Sequence, residues 1–174
     1  MSFRIRDATP ADAPAITAIY NDGILSRKAT FDTEPCTVAE TAADLEADLK
    51  THPTIVVVDG ERIVGFAWAS SYRPRACYDG IAEFSVYVAA DARRHGVGRT
   101  ALAALIDRCE QLGFWKLLSR IFSDNAASRA LCAELGFREV GTYRRHGRLE
   151  GVWKDCVVVE RLLGEAAAPV EEDR

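Results

Sequence analysis

Two kinds of chemistry-bearing residue stand close together near the middle of the chain. Glu83 lies within Ile81-Ala82-Glu83-Phe84-Ser85-Val86-Tyr87-Val88, and the basic stretch Arg93-Arg94-His95-Gly96-Val97-Gly98-Arg99 follows a short polar turn. A carboxylate at Glu83 could take a proton from a reacting group. It could equally be a rim carboxylate paired with an arginine, and the strand pattern alone leaves both readings open. Gly96 and Gly98 let backbone N–H groups approach a ligand, because no side chain blocks the way. A helix opening there aims its partial positive charge at the same point, and Arg93, Arg94 and Arg99 add full charges. Together they predict an anion cradle suited to a diphosphate. A Walker loop is excluded, since Arg99-Thr100 stands where Lys-Ser or Lys-Thr is needed. A dinucleotide fingerprint is disfavoured by two glycines instead of three and by the position past mid-chain. The alternative, a solvated arginine-rich turn, loses ground because a strand precedes the loop and an amphipathic helix follows it.

Those flanking elements are legible. Residues 81–88 alternate in strand fashion, with Glu83, Ser85 and Tyr87 on one face and Phe84, Val86 and Val88 on the other. From Gly98, the residues Ala101, Leu102, Leu105, Ile106, Cys109 and Leu112 mark one helix side, and Gly113 suits its C-cap. Upstream, 3–6 reads as a strand. Thr9 and Pro10 open a helix running to about Leu25, and Thr37-x-x-Glu40 is a capping box for a second helix to about Lys50. Ile55 to Ser70, turning at Asp59-Gly60, is a hairpin. Downstream, 116–122 is a strand, 125–135 a helix ended by Gly136, and 137–145 and 152–163 are further strands. The order β-α-α-β-β-β-α-β-α-β-β predicts an α/β fold: a mixed seven-stranded sheet with about four helices on its faces.

The chain of 174 residues has the size of one domain, expected over 1–163, with an Ala- and acid-rich tail over 164–174 expected to be disordered. The tail carries most of the net charge of −4, which leaves a near-neutral body and argues against general nucleic-acid binding. There is no apolar run long enough for a membrane span and no signal-peptide core at Met1–Arg6. Five scattered cysteines without C-x-x-C spacing predict a reducing, cytoplasmic setting, with neither a disulfide framework nor a metal site.

With these elements in order, Arg93-x-x-Gly96-x-Gly98, Asn125-x-x-Ser128-x-x-Leu131 and Leu135-Gly136-Phe137 resemble the GNAT acetyltransferase superfamily. Tyr20-Asn21-Asp22-Gly23-Ile24, residues 29–35, Ser71-Tyr72-Arg73-Pro74-Arg75, Glu83 to Val88 and Gly151-Val152-Trp153-Lys154-Asp155 resemble its phosphinothricin N-acetyltransferase branch, over roughly 3–163. The resemblance implies acetyl transfer from acetyl-CoA to the α-amine of a small amino-acid-like acceptor, by a homodimer, without a metal. It implies that Glu83 removes the amine's proton. The backbone of Val86, Tyr87 and Val88 would pair with the pantetheine arm as an added strand, and residues Arg93 to Arg99 would hold the pyrophosphate. Asn125 is either an N-cap or a cofactor ligand, with Ser128 one turn on. Arg73, and beside it Arg75, would capture an acceptor carboxylate or phosphinate or stay as surface charges, with Arg73 the favoured of the two, and Phe31 would wall the acceptor pocket or simply anchor its loop. The chain departs from its relatives at Cys132, where they carry histidine or tyrosine, and at Leu149-Glu150, where herbicide-resistance relatives carry Lys-His. A non-catalytic acetyl-CoA sensor, or an acetyltransferase for a protein N-terminus or a polyamine, stay as alternatives.

Overall fold

The computed structural model describes residues 3–169. Seven strands form one sheet: β1 (Arg4–Asp7), β2 (Thr54–Asp59), β3 (Arg62–Ser71), β4 (Ile81–Val88), β5 (Lys116–Phe122), β6 (Arg138–Leu149) and β7 (Val152–Leu162). Their spatial order is β1-β2-β3-β4-β5-β7-β6, and β4 and β5 run parallel while every other neighbouring pair is antiparallel. The helices are α1 (Ala13–Leu25), α2 (Val38–Asp48), α3 (Val97–Gln111) and α4 (Ala126–Glu134).

The alternation along β4 sorts the core into two layers. Ala82 and Phe84 point to the face where α3 packs its Ala101, Leu102, Leu105, Ile106 and Cys109, while Tyr87 points to the face covered by Ile16 and Ile19 of α1 and Leu45 of α2. A third, smaller cluster joins Phe122, Leu149 and Cys156 to the loop residue Phe31.

Several boundaries differ from the sequence expectation. The first helix is preceded by a 3-10 turn at Pro10–Asp12, because Asp12 reaches back to accept from Thr9 N at 2.8 Å and closes a capping box there. β6 runs beyond Arg145 to Leu149. It crosses an irregular register between Tyr143 and Gly147, where Arg145 takes φ 49°. The tail expected to be disordered begins instead as a 3-10 turn at Gly164–Ala167, tied down by Gly164 N donating to Glu110 at 2.9 Å; residues 170–174 lie outside the described residues.

One break in the sheet decides where a ligand can enter. β4 and β5 are paired only from Ile81↔Lys116 to Glu83↔Leu118. Beyond Glu83 the two parallel strands part, so the β5-facing backbone of Phe84 to Val88 has no strand partner.

Candidate active site

The cleft opened by that parting has a volume of about 190 Å³ and is lined by Glu83 through Tyr87 on β4, Ser119 through Phe122 on β5, and Asn125, Ser128, Leu131 and Cys132 beyond them. It thus brings together Glu83, Val86, Tyr87, Asn125 and Ser128, which lie apart in sequence. Val88 stands at the loop end of β4, where its carbonyl accepts from Arg93 Nε at 3.3 Å.

The glycine loop closes that end. Gly96 takes φ 83° as the N-cap of α3, a left-handed conformation that suits glycine, and a Cβ there would meet no atom within 4 Å. Val97 is buried beneath the loop. The first N–H groups of α3 have no partner inside the helix, and a Cβ at Gly98 would lie 3.4 Å from Leu131 Cδ2, a side chain that lines the cleft. Arg94, itself at φ 64°, and His95 are exposed. The three arginines do not act alike: Arg99 is drawn to Glu134 at 2.5 Å, and Arg93 is turned back on Val88. An anion at this loop would therefore meet backbone amides and Arg94 ahead of Arg93 and Arg99.

A sequence feature not anticipated sets the loop's position. Gly65 on β3 faces Val88 of β4, and a Cβ at Gly65 would lie 2.5 Å from Val97 Cγ1 and 3.1 Å from the Tyr87 carbonyl oxygen. The helix start can approach the sheet this closely only over a glycine. A lone glycine inside an apolar strand is the signal that could have found it.

At the inner end, Glu83 is half-buried and accepts a hydrogen bond from Arg120 Nη2 at 2.8 Å. The rim-pair reading of Glu83 is thus realised, without removing the carboxylate from the cleft. Arg120 was not among the sequence candidates. Its signal was a basic residue in register with Lys116 and Leu118 on a strand otherwise rich in apolar residues. Asn125 is indeed the N-cap of α4, its Oδ1 accepting from Ser128 N at 3.1 Å, and both residues line the cleft. Cys132 is buried, and burial pushes its thiol up to about 12.

On the α1/α2 face, a cavity of about 460 Å³ runs past Tyr20, Asp32, Asp44, Asp48, Trp68, Ser85 and Tyr87. Asp48 accepts from Trp68 Nε1 at 2.7 Å, and Asp32 accepts from the Tyr20 hydroxyl. Burial, helped by the bond to Asp32, pushes Tyr20 up to about 12. Phe31 lines a further cavity of about 320 Å³ together with Arg120, Phe122, His146 and Gly147. It meets Phe122 edge-to-face at 4.8 Å, and so both anchors its loop and walls a cavity. Among the described residues, Arg73 and Arg75 line none of these three cavities. Their guanidinium groups lie over Tyr72 at 5.2 Å and Tyr78 at 5.7 Å. Their loop leaves the sheet next to the Ser70↔Glu83 pair, which keeps it at the rim.

The model of the acetyltransferase (GNAT) family matches residues 20–137. The chain belongs to the GNAT acetyltransferase family. This GNAT protein is 38% identical over 173 residues to the phosphinothricin N-acetyltransferase of Alcaligenes faecalis, a match spanning 95% of this chain and 86% of that one. It is 36% identical over 165 residues to the L-methionine sulfoximine/L-methionine sulfone acetyltransferase of Pseudomonas paraeruginosa, spanning 94% and 96%. Among solved structures, the phosphinothricin acetyltransferase of Sinorhizobium meliloti in complex with AcCoA superposes with a TM-score of 0.90 at 34% identity, covering 99% of this chain and 95% of that one. The GNAT protein is accordingly an acetyltransferase, and its mixed seven-stranded sheet is the fold expected from its sequence. Among the described residues there is no helix long and apolar enough to cross a membrane and no cluster of side chains that could hold a metal ion.

Proposed function

We propose that this GNAT protein transfers the acetyl group of acetyl-CoA to the α-amine of a small amino-acid-like acceptor, of the phosphinothricin or methionine sulfoximine kind, with Glu83 as general base. The carrying observation is the seam between β4 and β5, which has a carboxylate where the strands part and the N-terminus of α3 at the other end of β4. The donor would lie along that seam. Its pantetheine arm would take the unpartnered backbone of Val86 to Val88, as an added strand does. Its pyrophosphate would take the amides of residues 94–99 with Arg94, and Asn125 and Ser128 would border the arm. That arrangement puts the thioester beside Glu83.

An acceptor amine is mostly protonated at neutral pH, and two protons leave its nitrogen in forming the amide. Glu83 takes one, directly or through water, and passes it to solvent. The nitrogen's lone pair then forms the C–N bond, the C–S bond breaks, and the second proton goes to the departing sulfur. A backbone N–H of β4 would stabilise the oxyanion. Arg73 and Arg75 would act on the acceptor from the rim, and Phe31 from the pocket wall.

The exposed edge hairpin, with Tyr143, Val152 and Trp153 at its surface, supports a homodimer, and five free cysteines suit work in the reducing cytoplasm. The acidic cavity lined by Asp32, Asp44 and Asp48 favours a second reading, an acceptor that is a polyamine or a protein N-terminus. A thiol-release assay over amino acids, polyamines and N-terminal peptides tests both. Turnover confined to amino acids is expected. Preference for polyamines or peptides would establish the second reading, and acetyl-CoA binding without turnover of any acceptor would make the protein a sensor.

A further inference from the structure

The register that puts Glu83 in the seam puts a second charge beside it. Arg120 lies two residues past Leu118, the β5 partner of Glu83, so both side chains leave the sheet on one face. Arg120 lines the seam, where it touches Glu83 at 2.8 Å, and it also lines the cavity of about 320 Å³ walled by Phe31 and Phe122. The guanidinium thus stands between the carboxylate and a pocket of small-molecule size. Arg73 and Arg75 line neither of these two cavities, and their guanidinium groups lie over Tyr72 and Tyr78 of their own loop.

We propose that Arg120 reads the acceptor's carboxylate and thereby makes this enzyme one for α-amino acids and not for simple amines. The inference rests on the reading that Glu83 faces the acceptor nitrogen. Glu83 and Arg120 present opposite charges side by side, and a zwitterionic α-amino acid presents opposite charges joined through a single carbon. On binding, the ammonium goes to Glu83 and the carboxylate to Arg120, so one ion pair is exchanged for two. An amine lacking the carboxylate must draw Glu83 away and leave the guanidinium unanswered. A polyamine also brings a second positive charge towards Arg120. Arginine suits this task because its planar fork matches a carboxylate in two hydrogen bonds. Its side chain is 47% exposed, so water screens the pair and the discrimination should be roughly 30-fold, well short of what a dry site achieves.

The test compares an amino acid with its decarboxylated amine on wild type, Arg120→Gln, Arg120→Lys and Arg73→Ala. For Arg120→Gln we expect the amino-acid KM to rise at least tenfold while that of the amine stays within about threefold. Arg120→Lys should recover part of the loss, and Arg73→Ala should change the amino-acid KM less than Arg120→Gln does. Calorimetry of the amino acid against CoA-loaded protein gives the same comparison without turnover and should show the same tenfold loss of affinity. An unchanged amino-acid KM and affinity in Arg120→Gln, or equal losses for both acceptors, would overturn the proposal. Glu83→Gln separates the two readings, because it should lower kcat for both acceptors alike. Full activity in Glu83→Gln would sink the base while leaving the affinity comparison at Arg120 to stand or fall alone.

Discussion

At the scale of single residues, the site is defined by what each side chain already touches. Glu83 is oriented by Arg120 before any acceptor arrives. Glu83→Gln should keep acetyl-CoA affinity within about threefold and lower turnover by roughly 10²-fold, the usual size of a general-base contribution. Activity should recover in part at high pH, where more of the amine is already neutral. Near-full activity at neutral pH would move the base elsewhere. Cys132 belongs to the wall. Its thiol, pushed up to about 12 by burial, could give a proton only uphill to a sulfur whose thiol form sits at about 8.5. Cys132→Ala should therefore retain turnover within about tenfold, or roughly 1.4 kcal/mol of barrier. A hundredfold loss with acetyl-CoA binding intact would make the thiol a participant. Glu83 and the loop glycines stand out in the sequence because their signals are carried by immediate neighbours. Arg120 stayed hidden because its meaning depends on β5 lying parallel to β4 in one particular register. The engagement of Arg99 with Glu134 was hidden for a like reason, since it joins α3 to α4.

At the scale of elements, the decisive contact is the N-terminus of α3 against β3 and β4. Gly65→Ala would drive a methyl into Val97 and the Tyr87 carbonyl. Overpacking of this kind costs about 1–3 kcal/mol, and relief comes most readily by moving the helix start outwards. We expect a lower unfolding midpoint in denaturant together with acetyl-CoA affinity weakened about tenfold by calorimetry. Lost stability with unchanged affinity would mean that the loop does not ride on this contact. Elements themselves were well marked in the sequence where local signals agree, as at the Thr37 capping box, where Thr37 N donates to Glu40 at 2.7 Å and Glu40 N to Thr37 Oγ1 at 3.2 Å. β6 was read too short because its irregular register interrupts the alternation at Arg145.

At the scale of the whole molecule, the Asp12 carboxylate fastens the first strand to the turn that opens α1. Asp12, buried, accepts from Arg6 through two bonds of 2.7 Å and from Thr9 N at 2.8 Å. The hydrogen bonds from Arg6, foremost, hold its carboxyl below the usual value. A group depressed in the folded state adds stability above its unfolded value, about 3.9, and that contribution is lost as pH falls through the folded value. Asp12→Asn should cost about 1–3 kcal/mol at neutral pH. The gap from wild type should close below about pH 4 in urea melts followed across pH. A gap that stays constant to pH 2 would remove this carboxyl from the acid limb. The strand order, by contrast, was not legible, because nothing local tells β7 to sit between β5 and β6.

The parting of β4 from β5 has a further consequence for the protein between catalytic cycles. A seam in mid-sheet is an edge, and edges recruit foreign strands. Most proteins shield such edges with permanent structure, whereas here a metabolite would serve as the missing strand. Filling that seam would stabilise the folded chain by mass action, so a saturating donor should raise the unfolding midpoint as well as start the reaction.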